Sequence, residues 1–194
     1  DGAGFTVSGI YINNTANYQG LFGYIGSNSA IINLGVIDSY IKGNSNVGGI
    51  VAFSYDATIT NCYITDSTLI GGQDCIGAIV GRAPISIISN CYSTSVVNGV
   101  GTTGGIAGYA PGSTIDNCFN TGSINGTGQL GGILGGGENI KIYNCYNTGA
   151  IFTSGETAGG IAGAIQGICY NSYNTGNVSA TTNAGGIVGF LLNS

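Results

Sequence analysis

A Gly-Gly-Ile-x-Gly pentapeptide, or a close relative of it, recurs seven times along the chain. The copies start at Gln19, Gly48, Gly77, Gly104, Gly131, Gly159 and Gly185, at spacings of 29, 29, 27, 27, 28 and 26 residues. A steady period of this size is the signature of an architecture in which one structural unit stacks on the next. Composition agrees. Of 194 residues 38 are Gly, without the three-residue period of collagen. Only 6% of residues are charged, which is unlike a disordered chain. Ile, Val, Thr and Tyr alternate with Asn, Ser and Gly, which is strand material divided by turn material.

The coil from Gly104 to about Leu130 shows the unit. It reads as three strands: 104–109, 113–119 and 122–125. Turns are expected at Pro111-Gly112, Asn120-Thr121-Gly122 and Asn125-Gly126-Thr127-Gly128. No helical period is sustained. The expected fold is therefore all-β: a parallel β-solenoid (β-helix) of about seven coils, about 27 residues each, forming one domain over residues 1–194. The usual hand of parallel connections makes it right-handed. The chain starts and stops inside the pattern, so it reads as a segment of a longer protein.

A second motif, Asn-Cys-Tyr-Asn-Thr-Gly, accompanies the first. It stands at Asn61-Cys62-Tyr63, Asn90-Cys91-Tyr92, 117–122, 144–149 and, with Ser for Cys, 171–176; Asp38-Ser39-Tyr40 reads as a degenerate first copy. Three residues before each Cys or Ser lies an apolar residue: Val36, Ile59, Ile88, Ile115, Ile142 and Cys169. Equal positions stack in a solenoid, so these form an inward ladder.

The two motifs together resemble the GLUG repeat of bacterial cell-surface proteins, and the likeness runs over essentially the whole chain. Residues 1–23, with Phe5-Thr6-Val7-Ser8-Gly9-Ile10-Tyr11-Ile12 leading to Gly20-Leu21-Phe22-Gly23, are similar to the entry of such arrays. The resemblance implies a large extracellular, adhesin-like protein. GLUG repeats also occur beside the catalytic module of some IgA-cleaving metallopeptidases, but this chain has no His. The zinc-binding part of such a peptidase is therefore absent from it.

The chemistry is sparse. Without His there is no Ser-His-Asp or Cys-His arrangement and no His-based zinc site. A glycosidase needs two carboxyl groups about 5–9.5 Å apart. Counted from each Cys, Asp38, Asp66, Asp74 and Asp116 fall at unrelated offsets, so they read as solvated charges, although Asp66 and Asp74 could approach across a turn. Cys62, Cys91, Cys118 and Cys145 share one register position and are expected as buried free thiols, with a disulfide or a metal as alternatives. The Asn ladder (Asn61, Asn90, Asn117, Asn144, Asn171) reads as corner hydrogen bonding. The aromatic ladder (Tyr40, Tyr63, Tyr92, Phe119, Tyr146, Tyr173) reads as packing if inward and as a sugar platform if outward. The Thr121, Thr148, Thr175 column is too narrow for an ice or mineral surface.

No catalytic, cofactor-binding or metal residue is assigned, and the chain is read as non-enzymatic. The expected role is a structural stalk or display segment of a surface protein, with adhesion to a glycan or host-surface ligand as a further option. The alternative is a carbohydrate-binding or carbohydrate-cleaving solenoid. Lys42, Arg82 and Lys141 are too few for nucleic acid. No apolar run approaches a membrane span. Leu191-Leu192-Asn193-Ser194 carries no cap, so end-to-end self-association is expected.

Overall fold

The computed structural model describes residues 1–192. The described residues form no helix, and their parallel strands stack into an all-β solenoid of about seven coils. Each coil contributes in turn to four parallel sheets. The first and second sheets have seven strands each, the third has six, and the fourth has eleven: two short strands from each of the first four coils, then the single strands Leu134–Tyr143, Ala162–Tyr170 and Val188–Leu191.

The coil read above resolves into five strands, not three. These are Thr103–Gly104 in the third sheet, Ala107–Tyr109 and Thr114–Asp116 in the fourth, Phe119–Asn120 in the first and Ile124–Gly126 in the second. The stretch 104–109 is broken at Gly105-Ile106. The stretch 113–119 is broken at Asn117, whose φ of 53° lies in the left-handed region. Asn pays little for that conformation and so can turn a corner without Gly. The Pro111-Gly112 turn is present, with Gly112 at φ 68°. Asn125-Gly126 instead continues a strand.

The inward ladders form one core running the length of the rod. Ile59, Ile88, Ile115, Ile142 and Cys169 stand in register, and the four Ile are fully buried. Ile106 and Ile133 are buried as well. Val36 does not belong to this ladder. Ile31 fills that place, and Val36 pairs instead with Val7 and Ile64.

The same correction applies to Asp38-Ser39-Tyr40. Tyr63 pairs with Gly35, and Asn61 donates to Asn33 Oδ1 at 3.0 Å, so Asn33-Leu34-Gly35 is the first copy of the cysteine corner. Tyr40 pairs with Thr68 in the second sheet, and Ser39 N–H donates to Ser67 Oγ at 3.0 Å. Two different corners share one local recipe: an Asn or Asp in left-handed conformation followed by a small hydrogen-bonding residue. The likeness of Asp-Ser-Tyr to Asn-Cys-Tyr comes from that recipe, not from a common register.

The two sequence motifs meet in the core. In Gly104-Gly105-Ile106-Ala107-Gly108, a Cβ on Gly104 would sit 2.1 Å from Ala107 O. A Cβ on Gly105 would sit 2.5 Å from Asn120 Cγ. Asn120 points inward and is fully buried. Its amide donates to Gly122 O and to Asn147 Oδ1, both at 2.8 Å, and Asn147 repeats the pattern with Gly149 O and Asn174 Oδ1. The second Gly of one motif therefore makes room for the second Asn of the other. Earlier coils carry Ile64 and Ser93 at the same register, and Ala78 stands at the Gly position of the coil that has the smaller Ser93.

Candidate functional site

The carboxylates come first, because they bear on the carbohydrate-cleaving alternative. Ile37 pairs with Thr65 and Tyr40 with Thr68, which places Asp38 beside Asp66 at one corner of adjacent coils. Their φ angles, 48° and 51°, match. Offsets counted from Cys do not reveal this neighbour relation, because Asp38 and Asp66 lie at the serine corner, not the cysteine corner. Neither Asp lines any of three grooves on the rod's surface. The groove of about 260 Å³ among Asn28, Ser29, Thr58, Ile85 and Ile87 holds Asp56 alone. The groove of about 310 Å³ between Thr127–Gln129 and Gly155–Thr157 holds Glu156 alone. The third, about 220 Å³ along 139–141 and 167–168, is bordered by Lys141 and holds no carboxylate.

Asp74 does not pair with Asp66. It holds the loop of the next coil: Thr102 N–H and Oγ1–H both donate to Asp74 Oδ1, at 2.7 and 2.5 Å. Burial pushes this carboxyl up, but the Thr102 bonds, with others from Cys75, outweigh it and hold the group below its ordinary range.

The cysteine ladder is a ladder of free thiols, all four buried. Each thiol donates to the carbonyl two residues back: Cys62 to Thr60, Cys91 to Ser89, Cys118 to Asp116 and Cys145 to Tyr143, at 3.2, 3.2, 3.3 and 2.9 Å. Cys91 N–H donates to Cys118 Sγ at 3.4 Å, and Cys145 N–H to Ser172 Oγ at 3.1 Å. The serine corner does the same with hydroxyls. Ser67 Oγ donates to Thr65 O and accepts from Ser39 N–H. The thiols thus stand in for corner hydroxyls. Burial raises the Cys118 thiol well above its ordinary value, which keeps it protonated and unreactive. Among the described residues no cluster of three or more Cys, Asp or Glu could hold a metal.

The Asn corner is exposed and bonded along the axis. Asn117 donates to Asn90 Oδ1 at 2.5 Å, Asn144 to Asp116 Oδ1 at 2.8 Å, and Asn171 to Asn144 Oδ1. Thr121, Thr148 and Thr175 line the neighbouring surface and are exposed.

Tyr63, Tyr92, Phe119, Tyr146 and Tyr173 point outward, alternating with buried neighbours such as Ile64 and Asn120. Their rings lie face to face, with centroids 5.1, 4.8, 4.8 and 5.3 Å apart and planes within 6°. Each ring hides the faces of its neighbours, so the ladder offers edges rather than a platform on which a sugar could lie. Tyr40 is not part of it and stacks on Tyr11 in the second sheet.

A second outward column escaped the sequence reading. It comprises Tyr24, Phe53, Arg82 and Tyr109, in register on the fourth sheet. Tyr24 stacks on Phe53 at 5.3 Å, and the Arg82 guanidinium carbon lies 5.8 Å from the Phe53 ring and 5.5 Å from the Tyr109 ring. Tyr109 OH donates to Glu138 Oε2 at 2.5 Å. Burial, then this bond, push the Tyr109 hydroxyl up to about 12. A sequence signal existed: each member directly follows a copy of the Gly-rich pentapeptide.

With this geometry in place, comparison with known proteins gives three likenesses. Residues 43–70 match the GLUG motif, so the chain carries that repeat. Over 83 residues the chain is 40% identical to halomucin from Haloquadratum walsbyi; this is 42% of the chain but 1% of that protein's length. The fold is similar to that of a candidate immunoglobulin A1 protease of Bacteroides ovatus, with a TM-score of 0.64 and 19% identity, covering 99% of this chain and 68% of that one. At that identity the likeness is one of fold.

Proposed function

We propose that this solenoid is a stalk or display segment of a cell-surface protein, held outside the cell, and that it does no chemistry itself. The observation that carries the reading is the parallel stacking of coil on coil, which continues through a bulge between Glu138 and Ile140 in the fourth sheet. All four sheets run along the rod, and what faces outward is mostly neutral Asn, Ser, Thr and edge-on aromatic rings. The GLUG motif and the similarity to halomucin support a surface location. The separate placing of Asp56 and Glu156 in different grooves favours a scaffold over a carbohydrate-cleaving enzyme. Nucleic acid is an unsuitable partner for three cations in a chain of net charge −5. Antibodies raised against the segment test the location. They should label intact, unpermeabilised cells of the source organism; labelling only after permeabilisation would refute it.

A further inference from the structure

The Arg82 column is more than packing. An arginine on a surface ordinarily ends in water or in a salt bridge. Arg82 is half-buried between the Phe53 and Tyr109 rings, and its Nε is buried with no hydrogen-bond partner in the chain. Among the described residues no carboxylate lies in ion-pair contact with it. Glu138, the acid bonded to Tyr109 in this column, accepts from the Tyr109 hydroxyl instead. The guanidinium is therefore held in place by two aromatic rings; its Nε is closed to solvent, so the terminal N–H groups are those a ligand anion could meet, with much of the side-chain ordering already done.

The surroundings narrow the ligand. Tyr24 is 62% exposed and Tyr18 is 49% exposed, and Tyr18 packs edge-on against Phe53. Tyr55, 42% exposed, and the half-buried Pro84 and Pro111 stand two residues further on, just past the ends of these strands. This is an aromatic and proline surface with one cation, on a chain of net charge −5. A polyanion would be repelled by the whole chain. A ligand carrying an isolated carboxylate on a neutral, hydroxyl-rich body would not be. We propose that Arg82 is the anchor of a binding site for the carboxylate of an acidic sugar, whether uronate or sialate, with the Tyr109 hydroxyl and the Glu138 carboxylate facing the sugar hydroxyls. A stalk needs no such site, so the proposal goes beyond the structural role and can fail without it.

The test is a titration of the 194-residue chain with the methyl glycoside of galacturonate and with sialyllactose, each carrying one carboxylate, followed by NMR at the Arg82 side chain and the Tyr109 ring. Lactose and an acidic peptide of equal charge are the comparisons. At least one acidic sugar should cause saturable shifts at both residues, and which one responds identifies the source of the carboxylate. Arg82→Gln should abolish the shifts at Tyr109. Arg82→Lys, which keeps the charge but loses the fork, should weaken binding about tenfold. Amide spectra of the unliganded variants show whether each still folds. If Arg82→Gln does not, Tyr109→Phe replaces it; that change removes the hydroxyl while leaving a ring beside Arg82, and it should weaken sugar binding. Absence of shifts with both acidic sugars, equal shifts with lactose or the peptide, or unchanged binding by the folded Arg82→Gln chain would overturn the proposal.

Discussion

At the scale of single residues, the fold depends on a few positions that no other side chain can fill. Ile115 is fully buried in its ladder, and Ile115→Ala should cost about 2–5 kcal/mol in a denaturant titration. Gly105 has no room for a methyl group, because a Cβ there would lie 2.2 Å from Gly132 O and 2.5 Å from Asn120 Cγ. Gly105→Ala should therefore destabilise by about 3 kcal/mol, and relieving Asn120 alone should not restore the loss, since the closest atom is backbone. Asp74 gives a pH signature. Its carboxyl is depressed in the fold, so its contribution is complete above the ordinary Asp value of about 3.9 and is lost as the pH falls through the lower folded value. In acid melts, Asp74→Asn should flatten that part of the decline; an unchanged acid profile would contradict this role.

At the scale of elements, the corners decide the outcome. The cysteine corner and the serine corner perform one task, giving a backbone N–H of one coil an acceptor from the next. Cys118→Ser should then be nearly neutral. Cys118→Ala should cost about 1–2 kcal/mol, because it leaves the buried Cys91 N–H without its partner. The native ladder thiols should react with a thiol reagent only on unfolding, as mass spectrometry of the unreduced, labelled protein would show. The corners also explain what the sequence did and did not disclose. The solenoid, its period and the Ile ladder were legible because burial repeats the same residue type at equal spacing. The split of each long strand was not, because Asn117 in left-handed conformation looks like any other Asn. Asp38 was assigned to the wrong corner because Asp and Asn both tolerate that conformation. The Arg82 column stayed hidden because its members are chemically unlike one another and are united only by register.

At the scale of the whole molecule, the core weakens toward the last described coil. Cys169, Val178, Ala180 and Val188 are only partly buried, and Leu191 is 62% exposed. Asn193 and Ser194, which belong to the expected uncapped end, lie outside the described residues. Continuing the register into a second copy would set Phe190 over Tyr24, Leu191 over Ile25 and Val178 over Ile12, apolar on apolar in each case. Light scattering should show association that grows with concentration and that Val178→Asp suppresses; a monomer at every concentration would contradict it. The central claim is that each coil adds one parallel step to the rod, and a spin-label distance tests it most directly. Asn13 and Ser179 are exposed and belong to one column of the second sheet, six steps apart through Lys42, Ile70, Asn98, Asn125 and Phe152. Labels on Asn13→Cys and Ser179→Cys, with Cys169→Ser to remove the half-exposed native thiol, should lie about 29 Å apart in a narrow distribution. Deleting residues 104–130, one whole coil, should shorten that distance by a single step of about 4.8 Å and leave the distribution narrow. A broad distribution, or a distance that does not shorten, would contradict the account.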